Sequence, residues 1–206
     1  MEIKIIRKHE LSTSLWSGGT TTQLTIYPAT AMYAERNFMW RISTAKVEVE
    51  ESDFTALPNV HRILMILDGK MLLKHEGRYE KHLEPFEQDS FEGNWATKSK
   101  GKVTDFNLMI CKGEGLLNAL DIPSRAAIET LIGNTSKTDK WECFSEVFYF
   151  LSDANVVHNN ELLTLNQGDV LLIEGDKKTN IKSITINNNS ENNIRVIQAS
   201  ICYNAG

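Results

Sequence analysis

The chain has 206 residues, with 22 Lys and Arg against 27 Asp and Glu and a formal net charge of -5, which is enough for a sizeable core and too little for three independent domains. This balance lacks the clustered cations that displace counterions from phosphates, so it argues against nucleic acid and anionic lipid as partners. The longest purely apolar run, Ile63 to Leu67, is far short of the roughly 20 residues of a membrane-spanning helix. The start, Met1-Glu-Ile-Lys-Ile-Ile-Arg-Lys-His-Glu10, is charged throughout, so the expectation is a cytoplasmic protein without a secretory signal. Cys111, Cys143 and Cys202 are odd in number and scattered. They predict reduced, mostly buried thiols, with neither a disulfide framework nor a CxxC site.

In chain order, most segments alternate apolar and polar residues with period two, the mark of strands. The predicted strands are Ile3 to Ile6, Thr22 to Tyr27, Met39 to Val47, Arg62 to Leu67, Met71 to His75, Val103 to Cys111, Val147 to Leu151, Leu162 to Leu165, Val170 to Ile173, Ile181 to Ile186 and Ile194 to Ile201. Asp68-Gly69 reads as a hairpin turn, and Asn187 to Asn193 as a long hairpin tip. One stretch points the other way. Ser124-Arg-Ala-Ala-Ile-Glu-Thr-Leu-Ile132 follows Pro123 with a capping residue and good helix formers, so local propensity favours a short helix.

The two halves share a pattern. Leu165-Asn-Gln-Gly168-Asp169 followed by a buried run to Gly175 has a looser counterpart in Leu83 to Gly93, each placed after a hairpin as in a jelly roll. The organisation read from this is a first barrel over residues 1–115, a crossover over 116–140 and a structural second barrel over 141–206, with the N-terminal strands free to swap between barrels.

Parity locates the candidate site. Trp40 and Ile42 share one face of their strand, Arg41, Ser43 and Ala45 the other. Arg62, Leu64 and Ile66 oppose Ile63, Met65 and Leu67; Asp105, Asn107 and Met109 oppose Phe106, Leu108 and Ile110. The mixed faces carry single polar residues among small or apolar ones, unlike the Lys- and Glu-rich loops. That suits a barrel lining better than a solvated surface. Arg41 and Arg62 there need Asp105, a ligand carboxylate or both, since an unpaired charge inside a barrel costs several kcal/mol. A ligand pocket, an internal ion-pair network and an ordinary exposed face are the three readings.

The succession Phe38-Met-Trp40-Arg41-Ile-Ser43-Thr-Ala45, then Phe54 and Pro58, Arg62, Phe91-Glu-Gly93 and Asp105-Phe106-Asn107-Leu-Met109 resembles the HutD/Ves family. The resemblance implies an all-β bicupin: two double-stranded β-helix (jelly-roll) barrels, in bacterial proteins that are associated in some members with histidine utilisation. It further implies a pocket for a small organic acid in the first barrel and a regulatory role. Carried over by position, the ligand-binding residues are Arg41, Ser43, Arg62, Asp105 and Asn107, with Gln23 standing where the family usually has Glu. The family's Trp-x-Asn-Gly-Gly motif is one residue shorter here, Trp16-Ser-Gly18-Gly19, and lacks the Asn.

No His pair has the i, i+2 spacing of a cupin metal site, because His9, His61, His75, His82 and His158 are isolated. The expectation is therefore no metal, no cofactor and no catalytic residue. Ser43 has no visible base, and Asp105 beside two arginines should be a stronger acid than usual. Arg41 and Arg62 would clasp a carboxylate, Ser43 and Asn107 would orient it, and Asp105 would hold an arginine in place. The leading reading is a non-enzymatic binder of a small carboxylate metabolite, regulatory in amino-acid (histidine) catabolism or stress response, with homodimer formation left open. The competing readings are a metal-free isomerase, lyase or hydrolase acting on the same acids, and an interaction scaffold with a vestigial pocket.

Overall fold

The structure, a computed structural model, describes residues 1–133, 140–176, 178–179 and 182–204. Its strands are, in order, β1 (Glu2–Ile6), β2 (Ser12–Trp16), β3 (Gly19–Tyr27), β4 (Trp40–Val47), β5 (Glu51–Asp53), β6 (His61–Gly69), β7 (Met71–His75), β8 (Tyr79–Leu83), β9 (Gln88–Glu92), β10 (Thr97–Lys100), β11 (Val103–Ile110), β12 (Glu114–Ile122), β13 (Ala127–Ile132), β14 (Cys143–Phe150), β15 (Ala154–His158), β16 (Glu161–Leu165), β17 (Val170–Asp176), β18 (Lys182–Asn187) and β19 (Ile194–Tyr203). Two short 3-10 turns, Lys8–Glu10 and Tyr33–Glu35, are the helical elements among the described residues. The fold is all-β, as the period-two patterning predicts.

The chain forms two compact units. One is Leu11–Lys112; the other joins Met1–Glu10 to the residues from Gly113 onward. The first ten residues, which the sequence reading grouped with residues 11–115, belong with the second unit. There β1 pairs antiparallel with β17, and Asp169 accepts hydrogen bonds from Arg7 Nη1 at 2.7 Å and the Lys8 backbone N–H at 2.9 Å. The stretch read as a crossover is built into the second unit as β12 and β13.

In the first unit a six-stranded sheet, ordered β2-β3-β4-β11-β6-β9, accompanies a four-stranded sheet, β5-β10-β7-β8. Its apolar core includes Leu64, Ile66, Met71, Leu73, Leu83 and Phe91. In the second unit the sheets are β1-β17-β14-β19-β12 and β13-β18-β15-β16. Phe148, Phe150, Val156, Leu171, Ile173 and Ile186 fill the core there. The shared sequence pattern has a structural counterpart. The β7-β8 hairpin leads into β9, which pairs with β6, and the β15-β16 hairpin leads into β17, which pairs with β14.

Three local readings change. The predicted helix is β13: Ile128, Thr130 and Ile132 face inward with period two and pair along β18, so tertiary pairing overrides helix propensity. Asp68-Gly69 is a corner and not a hairpin, because β6 and β7 belong to different sheets. Gly69 has φ of 82°, and a Cβ there would stand 2.4 Å from the Lys102 carbonyl oxygen, so the corner requires glycine. Asn187 to Asn193 likewise carries the chain from one sheet to the other, since β18 and β19 do not pair. The predicted strand Ile181 to Ile186 is β18, except that Ile181 lies outside the described residues. Of the cysteines, Cys202 is buried while Cys111 and Cys143 are half-buried, and all three are free thiols.

Asn188 holds the inter-sheet crossing. It is buried, its Nδ2 donates to the carbonyls of Ile122 (3.1 Å), Pro123 (2.9 Å) and Asn192 (2.8 Å), and its Oδ1 accepts from Ser190. Asn188→Ala strips these carbonyls of their donor, so the variant should lose about 2–4 kcal/mol in urea unfolding at unchanged m-value.

Candidate functional site

The central strand of the six-stranded sheet is β11, with β4 on one side and β6 on the other. Its register sets Met109 between Arg41 and Arg62, Asn107 between Ser43 and Leu64, and Asp105 between Ala45 and Ile66. Because these pairs lie directly opposite one another, the residues grouped by parity in the sequence share one face. Arg41, Ser43, Arg62, Asp105 and Asn107 are all buried there.

They form the floor of a cavity of about 310 Å³ whose rim carries Ser14, Trp16, Tyr33, Asp53 and Thr55, all exposed. The small side chains of Ser43 and Ala45 help to leave this space open. Gln23 is not part of the lining. It lies opposite Ser43, next to a bulge in β3 between Gln23 and Thr25, and reaches Arg41 from the side.

The two arginines are held differently. Arg41 Nε donates to Gln23 Oε1 at 2.9 Å, Nη1 donates to Ser43 Oγ at 3.1 Å, and the guanidinium lies 4.2 Å from the centre of the Tyr33 ring. Arg62 has an aromatic seat, 4.6 Å from the Phe54 ring centre and 5.4 Å from that of Phe91. Its Nε has no partner among the described residues. Burial lowers the pKa of both arginines, that of Arg62 to about 10 against the pull of Asp105, and both stay cationic at neutral pH.

Asp105 departs from the sequence-based expectation. No ion pair joins it to either arginine among the described residues, and its Oδ1 is buried without a partner. Burial pushes its pKa up to about 7, while the charge of Arg62 and the Ala45 backbone N–H pull weakly the other way. Its acidity is therefore weakened, not strengthened, because desolvation outweighs an arginine that does not touch it. Nor does Asp105 fix an arginine rotamer: Gln23, Ser43 and the aromatic rings do that. Asn107 Oδ1 is a third buried atom without a partner.

Tyr33 and Phe54, which the sequence reading did not assign to the site, sit in a short 3-10 turn and in a loop, where no strand periodicity marks an inward face. Phe91 was visible as part of a motif, but not as the seat of Arg62. Of the tryptophans, Trp16 stands at the pocket rim. Trp95 packs instead against His75 and Tyr79, with ring centres 5.4 and 6.1 Å apart. His75 is buried in a polar cluster of its own, hydrogen-bonded to Asp89 Oδ2 at 2.9 Å and Thr97 Oγ1 at 2.8 Å. Among the described residues no group of three or more His, Cys, Asp or Glu side chains is placed to hold a metal ion. No helix among them is long and apolar enough to cross a membrane.

The HutD family model matches residues 8–190. The chain belongs to the HutD family. A conserved protein of unknown function from Pseudomonas aeruginosa PAO1 superposes with a TM-score of 0.80 at 19% identity, over 98% of this chain and 100% of that one. HutD from Pseudomonas fluorescens SBW25, crystallised in a formate condition, gives 0.73 at 18% identity over 99% and 100%. An oxalate decarboxylase variant from Bacillus subtilis gives 0.64 at 7% identity over 95% and 76%. At these identities the structural likeness speaks for the fold alone, and the fold is that of the cupins.

The raised pKa of Asp105 makes a stability prediction. The folded protein retains a proton that the unfolded chain releases near pH 3.8, so Asp105 contributes fully to stability below that pH and the contribution is lost as pH rises through about 7. Asp105→Asn should remove this loss. Relative to the parent it should gain stability progressively between pH 4 and 7, by about 4 kcal/mol at most. Urea unfolding of both proteins across that range measures the difference.

Proposed function

We propose that the pocket of the first unit binds a small organic acid. The observation that carries this reading is a pair of buried, charged guanidinium groups with no carboxylate in contact with either among the described residues. A buried cation without an anion is costly. Arg41 and Arg62 face one cavity from two strands flanking the same central strand, so a ligand carboxylate can supply the missing charge with charge-assisted hydrogen bonds. Aromatic rings occupy the arginine faces, and with Arg41 Nε and Nη1 donating to Gln23 and Ser43, the N–H edge of Arg62 and the remaining Nη2 of Arg41 are the groups such a ligand would meet.

Membership of the HutD family extends the proposal to its setting. The resemblance seen in the sequence connects the family with histidine utilisation and with a regulatory role, so a metabolite sensor in amino-acid catabolism is the function we favour. A cytoplasmic location agrees with that role.

One observation favours a second reading. A carboxyl group whose pKa lies near 7, buried beside the bound acid, has the acidity of a working general base. A metal-free proton transfer, with Asp105 taking a proton from a carbon or water next to the ligand carboxylate, is chemically accessible.

The two readings separate by experiment. Formate, formylglutamate or urocanate at about a hundred times its dissociation constant should stabilise the protein by about 2.7 kcal/mol, or roughly 5–10 °C in melting temperature, and Arg62→Ala should abolish the shift. No shift with any of these acids would remove the binding proposal. Following each acid with the protein by NMR over hours tests turnover. Unchanged spectra are expected for a sensor, and a converted acid would shift the assignment to the enzyme.

A further inference from the structure

Three buried atoms of the pocket lining have no partner among the described residues, and they are of two kinds. Arg62 Nε–H is a donor; Asn107 Oδ1 is an acceptor, and Asp105 Oδ1 is another whenever that carboxyl is ionised. A plain carboxylate answers only the first kind. It has no hydrogen to give, and it would bring its own oxygens against those of Asn107 and Asp105. Resting on the carboxylate reading above, we infer that the natural ligand also carries an uncharged hydrogen-bond donor, a hydroxyl or an amide N–H, directed at Asn107 and Asp105.

Spacing and charge both support this. Asn107 lies one pleat repeat, about 7 Å along the strand, from Met109, which is paired with both arginines. The long arginine side chains can cover much of that interval, so one small molecule can present a carboxylate to them and a donor to Asn107. The donor should be neutral. Arg41 and Arg62 against an ionised Asp105 leave one positive charge on the floor, and a monoanion cancels it. An ammonium on the ligand would restore it beside two buried arginines. Asp53, the other acidic residue of the lining, is exposed at the rim, where it faces Lys98. A site built to hydrogen-bond a ligand donor rejects an isostere lacking it, because its buried acceptors are then left unpaired.

Two near-isosteric pairs test the idea and tell the donors apart: glycolate against propionate for a hydroxyl, and N-acetylglycine against levulinate for an amide N–H. Calorimetric titration at pH 8, where Asp105 of the free protein is mostly ionised, should show the donor-bearing member of at least one pair binding about tenfold or more tightly. In Asn107→Ala that ratio should fall to within about twofold, and Asp105→Asn should reduce it as well. If Asn107→Ala does not fold, Asn107→Asp supplies the second variant. It keeps an acceptor oxygen, so the preference should survive although overall affinity for the anion falls. Equal affinities within both pairs would overturn the inference and leave carboxylate binding intact. A preference that survives Asn107→Ala unchanged would also overturn it. No binding of any of these acids, formate included, would remove both the inference and the carboxylate reading.

Discussion

Two guanidinium groups stand almost wholly buried on one face of a single sheet, and much of the first unit can be understood as the means of keeping them there. Desolvating a cation costs several kcal/mol unless other interactions replace water. Here the replacements are neutral. Gln23 and Ser43 accept hydrogen bonds from Arg41, and rings from Tyr33, Phe54 and Phe91 lie against the two guanidiniums. None of these cancels a charge. The arginines are thereby oriented and partly compensated while keeping their attraction for an anion. A Glu at position 23 would have spent that attraction on an internal ion pair.

The second unit holds one of its buried ionisable groups in the opposite way. Glu146 on β14 is buried and accepts from Gln198 Nε2 at 3.0 Å and Ser200 Oγ at 2.6 Å, both on the adjacent strand β19, as well as from the Gly133 backbone N–H. Burial still raises its pKa, yet three donors converge on it. Asp105 in the first unit receives less and leaves an oxygen unpartnered. Glu146 is therefore satisfied from within, as the buried Asp89 of the first unit is by His75, Tyr79 and Lys81, whereas the groups around the cavity keep unmet donors and acceptors. Unmet groups around a cavity distinguish a binding site from a structural polar core.

The legible part of this arrangement in the sequence was its parity. Arg41, Ser43, Arg62, Asp105 and Asn107 could be grouped because they alternate strictly with residues such as Trp40, Ile42, Phe106 and Leu108, which are fully buried on the opposite face. Strands with polar inward faces escaped. In β10 it is Thr97 and Ser99 that point inward, and β2 is exposed throughout, so neither shows apolar alternation. The segment from Ala127 to Ile132 misled because good helix formers masked its inward Ile128, Thr130 and Ile132. The acidity of Asp105 misled for a different reason. Sequence places charges near one another without showing whether they touch, and here the decisive quantity was burial.

The net charge of the whole chain and the charge of the pocket act at different ranges. A net -5 works weakly against the approach of any anion, but in physiological salt such interactions are screened beyond about 8 Å. Inside the cavity the screening is largely absent, so on the proposed reading Arg41 and Arg62 would govern the final step. The same low dielectric that gives them reach also holds Asp105 near half-ionisation at neutral pH. Binding an anion beside Asp105 must raise its affinity for a proton further, because a second negative charge disfavours the ionised form. Under the proposed carboxylate binding, anion capture and proton uptake are linked by electrostatics alone, and the pocket should hold plain anions more tightly as the solution becomes more acidic through neutrality.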